Sequence, residues 1–113
     1  MQPDEIALAS FPFGGSVGMK LRPVLLLTGS LGTVPEFLVA YISSVIPTVL
    51  LPTDILLDPA SPTHASTRLK TQSVIRLHKL ATIHGRNVVR KLGILSPQVA
   101  TEVDDRLRAL LDL

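Results

Sequence analysis

SVIRLHKLATI, residues 73–83, is the longest stretch of this sequence that is predicted to form one strand. Side chains two positions apart on a strand point to the same side of the sheet. Arg76 and His78 are therefore predicted to share one face, and the other face is predicted to be buried. The residues of that predicted buried face are Ile75, Leu77, Ala81 and Ile83. The stretch predicts a strand that places a guanidinium beside an imidazole.

Shorter apolar runs on both sides of this stretch predict five more strands, separated by turns rich in glycine and proline. These strands are predicted over residues 5–11, 22–28, 37–44, 49–57 and, as a short last strand, 86–93. Pro52 lies inside the fourth of them, which predicts an edge strand or a bulge there. The succession predicts a mostly antiparallel sheet.

Only the C-terminal segment has a helical pattern. Ser96 is a favourable N-cap and Pro97 suits the first helical position. Apolar residues then recur at helical spacing on one face. They are Val99, Val103, Leu107, Leu110 and Leu111. Residues 1–113 are therefore predicted to form one mainly β (α+β) domain, a small antiparallel β-barrel closed by a C-terminal helix.

Composition excludes several classes of protein. The 113 residues include no cysteine, which rules out disulfides and thiolate metal sites and fits a reducing compartment. Apolar residues make up 46% of the chain, and residues 37–53 contain no charge. That stretch is shorter than the roughly 20 residues of a spanning helix and is cut by Pro47 and Pro52, so two strands around a turn are predicted instead. The acidic N-terminus lacks the features of a signal peptide, so a cytoplasmic protein without a membrane segment is expected.

Charge is unevenly distributed along the chain. Residues 1–63 hold two cations and five acids, whereas residues 64–95 hold seven cations and no acid. Such a segment predicts a surface for a polyanionic partner. An ordinary solvated face has the same composition, and the residues alone leave both interpretations open.

Two groups of side chains suit a phosphate. Arginine binds two phosphate oxygens at once, and histidine carries a proton near neutral pH, which makes Arg76 and His78 candidates. Lys20 and Arg22 form the second group, at the start of the run KLRPVLLLT, residues 20–28. A solvated strand face or strand end explains each group equally well. No phosphate loop, cofactor motif or convincing metal site is visible, and the three histidines, with His64 and His84 in loops, are predicted to be dispersed.

The order EIALASFPFGG, KLRPVLLLT, FLVAYISS, PTDILLD, LKTQSVIRLHKLATI and RKLGILS resembles the MazF/PemK-like toxins of bacterial toxin–antitoxin pairs. The resemblance covers nearly the whole chain. It implies an SH3-like barrel that forms a homodimer and is blocked by a cognate antitoxin. It also implies an endoribonuclease that needs no metal or cofactor and cuts single-stranded RNA, including mRNA. In that reaction the 2′-hydroxyl attacks the adjacent phosphorus and leaves a 2′,3′-cyclic phosphate and a 5′-hydroxyl.

The same resemblance assigns roles to particular residues. Arg22 matches the arginine that acts on the scissile phosphate, and Ser43 matches a position usually held by threonine. Arg76 matches an arginine of PemK-type members, and His78 stands where those members often have an acid. The candidates for RNA contacts are Ser16, Lys20, Ser44 and Lys79.

Two other functions remain open from the sequence. The same barrel serves a toxin that binds DNA gyrase without cutting nucleic acid, and small barrels also act as plain binding modules. An inactive relative that only binds an antitoxin is the third possibility. The phosphate-binding residues favour the ribonuclease.

Overall fold

The computed structural model describes residues 1–11 and 20–113, with the backbone alone at Phe11. One six-stranded antiparallel sheet and one helix account for most of the described residues. The strands are β1 (Glu5–Phe11), β2 (Lys20–Leu26), β3 (Glu36–Ser43), β4 (Asp54–Leu57), β5 (Ser73–His84) and β6 (Val88–Ile94), and helix α1 is Pro97–Leu111. The predicted fold class is therefore confirmed.

The strands are arranged in the order β4-β5-β3-β2-β1-β6. No backbone ladder joins the two outer strands within the described part of the chain, so hydrogen bonding does not close the sheet. Among the described residues, no helix is long and apolar enough to cross a membrane. The uncharged stretch 37–53 instead contains most of β3 and the loop that leads to β4.

Alternation along the central strands gives the sheet a buried cluster on each side. Ile6, Leu25 and Ala40 belong to one cluster, which helix α1 covers. The second cluster is built from their sequence neighbours, among which Ala7 and Val39 are fully buried. Because both faces are buried, the central strands read as nearly continuous apolar runs.

Helix α1 begins as predicted. The Ser96 side chain accepts a hydrogen bond from the Val99 backbone N–H, and Pro97 occupies the first turn. Val99 and Val103 are buried against the sheet. The predicted apolar face does not continue to the end of the helix, because Leu110 and Leu111 are exposed.

Two strand predictions were wrong in an informative way. The fourth strand was predicted over residues 49–57, but β4 is only Asp54–Leu57, because the apolar residues before it lie in an exposed loop. The second error concerns β5, where the residues predicted to share one buried face divide between the two clusters. Ile75 and Leu77 join the cluster under the helix, whereas Ala81 and Ile83 join or contact the other.

A bulge in β5 causes this division. Tyr41 of β3 pairs with Arg76, but the preceding residue, Ala40, pairs with Leu80. Residues 77–79 are therefore extra residues without partners on β3. An odd number of extra residues reverses which side of the sheet the following side chains occupy.

Candidate functional site

A pocket of about 370 Å³ lies where β2, β3, β6 and the segment after residue 67 meet. Its lining includes four cationic side chains and apolar residues from several elements. The cations are Arg22, Arg68, Lys70 and Arg90. The apolar residues include Leu8, Pro23, Ile42, Leu69 and Leu92.

The pocket forms because two neighbouring strands separate. β2 pairs with β1 along its length, but it pairs with β3 only from Val24 onward. The residue at which this pairing stops is Pro23. Because proline has no backbone N–H, it needs no hydrogen-bond acceptor on β3. Arg22 precedes this point and is half-buried, whereas Lys20 at the start of the strand is exposed. The strand register therefore places Arg22 at the open notch between β2 and β3.

The remaining cations reach the pocket from distant parts of the chain. Arg90 of β6 pairs with Leu8 of β1, and Leu8 pairs on its other side with Pro23. This row of three strands brings the Arg90 position to the same pocket as Arg22. Arg68 and Lys70 flank Leu69, whose side chain is buried in the core cluster.

A short 3₁₀ turn, Ala65–Thr67, holds Arg68 against β6. The Ser66 hydroxyl donates a hydrogen bond of 2.8 Å to the carbonyl of Ile94. A Cβ on Gly93 would collide with the backbone of Ser66 and Thr67, so the turn and the strand approach as closely as glycine permits. Arg68 itself has a left-handed backbone, with φ of 58°.

No acid balances the four pocket cations. Among the described residues, none of them has a carboxylate within ion-pair distance, and residues 12–19 contain no Asp or Glu. Two other cations of the acid-free segment are paired: Arg76 with Asp54, and Lys91 with Glu5 at 2.7 Å. Five cations of that segment have no carboxylate partner among the described residues, and three of them, Arg68, Lys70 and Arg90, line the pocket, where they attract anions.

Ser43 and Ser44 also line the pocket. The Ser43 hydroxyl accepts a hydrogen bond from the Val45 N–H at 3.1 Å and contacts the Val45 carbonyl at 3.3 Å. This local turn ends β3 and orients the Ser43 side chain. Ser44 is exposed. The structure therefore brings Arg22, Ser43 and Ser44 into the lining of one pocket.

The structure does not bring Arg76 and His78 to this pocket. Arg76 donates from Nε to the Asp54 Oδ1 at 2.9 Å, and the Asp54 side chain is fully buried. His78 contacts the Thr53 hydroxyl through Nδ1 at 2.7 Å. Both side chains therefore bond to the segment that enters β4. His78 lines a different, shallower hollow between this segment and helix α1.

The surroundings of the Arg76–Asp54 pair lower the pKa of Asp54. Burial, the largest single influence, raises the pKa of Asp54, but hydrogen bonds from the Leu51 N–H and from Arg76 outweigh it and hold the pKa below its usual value. The carboxylate is therefore charged near neutral pH and holds the guanidinium in place.

The other predicted contacts are dispersed. The Lys79 Nζ lies 5.6 Å from the centre of the Tyr41 ring, in a cation–π arrangement. Ser16 lies outside the described residues. His64 and His84 are not merely solvated loop residues, because each accepts a backbone hydrogen bond through Nδ1.

Sequence reasoning missed Arg68, Lys70 and Arg90 as individual members of the site. The acid-free segment 64–95 contained the signal, since all three belong to it. Its composition could not separate them from Arg76 and Lys91, which have carboxylate partners. That distinction depends on strand pairing between distant parts of the chain.

The family of this chain is shown by its sequence. Residues 2–111 match the sequence model of the PemK-like, MazF-like toxins of type II toxin–antitoxin systems. The chain belongs to this family. No curated protein matches it.

Solved structures of MazF toxins share the fold. A Mycobacterium tuberculosis toxin, MazF-mt6, is 23% identical with a TM-score of 0.73, and the match covers 96% of this chain and 97% of that one. MazF from Deinococcus radiodurans is 19% identical with a TM-score of 0.70, over 100% and 97% of the two chains. An endoribonuclease in complex with its cognate antitoxin, from a mycobacterial species, is 15% identical with a TM-score of 0.71, over 100% and 96%.

Proposed function

We propose that this MazF-like toxin is an endoribonuclease that cleaves single-stranded RNA, including mRNA, without a metal ion. The observation that carries the proposal is the pocket in which Arg22 and Ser43 lie among three further cations with no acid beside them. A site of this charge suits a polyanion, and its position next to two hydroxyl-bearing side chains suits a phosphodiester.

The reaction requires an attack within the RNA strand. The 2′-oxygen forms a bond to phosphorus, the bond from phosphorus to the 5′-oxygen breaks, and a proton moves from the attacking hydroxyl to solvent or a base while the leaving oxygen gains one. Arg22 would stabilise the negative charge that builds up on the non-bridging oxygens, which is the main contribution that a preorganised cation makes to such a step. Ser43 would donate a hydrogen bond to the same group in exchange for its contact with Val45.

The binding partners follow from the same proposal. Single-stranded RNA is the substrate, and Ser16, Lys20, Ser44 and Lys79 are proposed to contact it beyond the reacting phosphate. A cognate antitoxin is the expected inhibitor, supported by the fold shared with a toxin solved together with its antitoxin. We also propose that the protein is cytoplasmic, which a sequence without cysteine fits. We propose that it forms a homodimer, because the loop between β3 and β4 exposes five large apolar side chains.

The proposed activity is tested by incubating the purified protein with a long, defined single-stranded RNA in EDTA. The expected products are discrete fragments whose 3′ ends carry a cyclic phosphate and whose 5′ ends are hydroxyls. Intact RNA, or cleavage that appears only after a divalent metal ion is added, would contradict the proposal.

A further inference from the structure

The four pocket cations differ in how far they are buried. Arg22 is half-buried on a strand of the sheet, whereas Arg68, Lys70 and Arg90 are exposed around the rim. We infer that these three rim cations form a second phosphate subsite, which binds a neighbouring phosphate of the same strand while Arg22 holds the scissile one. This inference rests on the proposed function and assigns different phosphates to different cations of the pocket.

Charge matching supports more than one phosphate. A phosphodiester carries one negative charge, and the described pocket contains four cations without a balancing carboxylate. One bound phosphate would leave most of this positive charge uncompensated. Two or more consecutive phosphates of one strand match it better, because each cation that contacts a phosphate releases a counterion.

The positions of the cations fit two phosphate sites that lie apart in the pocket. In the row of paired strands, Leu8 lies between Arg90 on one side and Pro23, next to Arg22, on the other. Two inter-strand steps separate Arg90 from Pro23, roughly 10 Å of backbone, and Arg22 lies one residue further along β2. The apolar lining between them, which includes Leu8, suits the ribose and base that join two phosphates.

The backbone that carries the subsite is held in place before binding. Leu69 is buried between Arg68 and Lys70, and the hydrogen bond from Ser66 to Ile94 fastens the preceding turn to β6. Arg90 belongs to that same strand. A preorganised set of cations loses less conformational entropy on binding than cations on a free loop do.

Binding is measured with a probe that cannot be cleaved. A mixed-sequence single-stranded DNA 12-mer keeps the phosphates but lacks the 2′-hydroxyl, and fluorescence anisotropy at several KCl concentrations gives its affinity. We expect Arg68→Ala, Lys70→Ala and Arg90→Ala each to weaken binding roughly tenfold. Each lost phosphate contact is expected to lower the slope of log affinity against log salt by about 0.7. Arg108→Ala, on the exposed surface of helix α1, is the matched control and is expected to bind like wild type.

Cleavage of RNA by the same variants separates this subsite from the reacting centre. The three rim variants are expected to raise KM roughly tenfold with kcat within about threefold of wild type. The subsite would be overturned if the rim variants bound DNA as tightly as Arg108→Ala does, whether or not their kcat fell. Either result would leave the proposed ribonuclease intact. A wild-type protein that binds the DNA through these residues but cuts no RNA would retain the subsite and overturn the enzyme. A protein that does neither would overturn both.

Discussion

At the scale of single residues, the ion pair between Arg76 and Asp54 is the most deeply placed charge contact described. The Asp54 side chain is fully buried and Arg76 is 20% exposed. Removing one partner of such a pair leaves the other charge poorly solvated. Asp54→Asn is therefore expected to lower the free energy of unfolding by about 2–4 kcal/mol. Urea denaturation measures this loss, with the exposed Asp105→Asn as the control.

The effect of Asp54 depends on pH in a defined direction. Its pKa is lowered in the folded protein, so its contribution is complete above the unfolded-state pKa of about 3.9 and is lost as the pH falls through the lower folded-state value. The difference in stability between wild type and Asp54→Asn is expected to be constant above about pH 5 and to shrink below about pH 4. A difference that persists unchanged at low pH would contradict the assignment.

His78 is the residue for which the sequence and the geometry diverge most. The sequence predicted a catalytic role, which stays a prediction, and the structure places the imidazole against Thr53 and outside the cationic pocket. Because no histidine lines that pocket, we expect His78→Ala to leave the shape of the pH–rate profile unchanged. A profile that loses an inflection near neutral pH would restore His78 as a proton carrier.

Sequence reasoning could identify Arg22 because a local motif, Arg-Pro before an apolar run, marks it. Arg68 and Arg90 have no such motif. Each is one of several cations in an acid-free segment, and only the pairing of β1 with both β2 and β6 brings Arg90 toward Arg22. Long-range register was therefore the missing information, and it cannot be deduced from composition.

At the scale of structural elements, the contact between Gly93 of β6 and the turn Ala65–Thr67 sets the position of Arg68. A Cβ at residue 93 would meet backbone atoms, which cannot move aside like a flexible side chain. Gly93→Ala is therefore expected to destabilise the protein by about 1–3 kcal/mol and to raise the KM for RNA by displacing the turn. Urea unfolding and cleavage kinetics measure the two effects.

Gly29→Ala is the matched control for this substitution. A Cβ at residue 29 would meet its nearest neighbour, the Met1 carbonyl oxygen, at an ordinary 3.7 Å. This variant is expected to have the same urea midpoint of unfolding and the same cleavage kinetics as wild type. Equal behaviour of the two alanine variants would show that the close approach at Gly93 does not position the site.

Element boundaries were predictable where hydrophobicity and capping agreed. β1 and the start of helix α1 lie where the sequence placed them. The prediction of the fourth strand was wrong because residues 49–51 are apolar yet lie in an exposed loop, and hydrophobicity alone does not distinguish a buried strand from an uncovered apolar loop. The prediction of one buried face along β5 was wrong for a related reason. The bulge is visible only in the pairing of β5 with β3, and the periodic pattern of β5 alone gives no sign of it.

At the scale of the whole molecule, five large apolar side chains are exposed in the loop between β3 and β4, more than in any other loop of the described chain. Val45 and Val49 are 77% and 75% exposed. Its other exposed apolar residues are Ile46, Leu50 and Leu51. Several large exposed apolar side chains in one loop are typical of a protein interface, which is why we propose a homodimer.

The dimer is tested by placing a charge in this loop. Val49→Asp is expected to shift the protein from dimer to monomer in analytical ultracentrifugation while circular dichroism stays unchanged, because residue 49 is 75% exposed in the protomer. Val34→Asp, before the start of β3 and 59% exposed, is the control and is expected to remain dimeric. A wild-type protein that is monomeric at every concentration would contradict the proposal.

The proposed role of Arg22 at the reacting phosphate is tested by the single-turnover rate of RNA cleavage in EDTA by Arg22→Ala, compared with Arg108→Ala. Because Arg22 is proposed to stabilise the charge of the transition state, the rate of Arg22→Ala is expected to fall by about 10²–10³-fold. Arg108→Ala is expected to cut within about twofold of wild type. Both variants are expected to stay folded in urea up to nearly the wild-type midpoint, because Arg108 is exposed and Arg22, at a strand end, has no carboxylate partner among the described residues. Cleavage by folded Arg22→Ala at the wild-type rate would contradict the account.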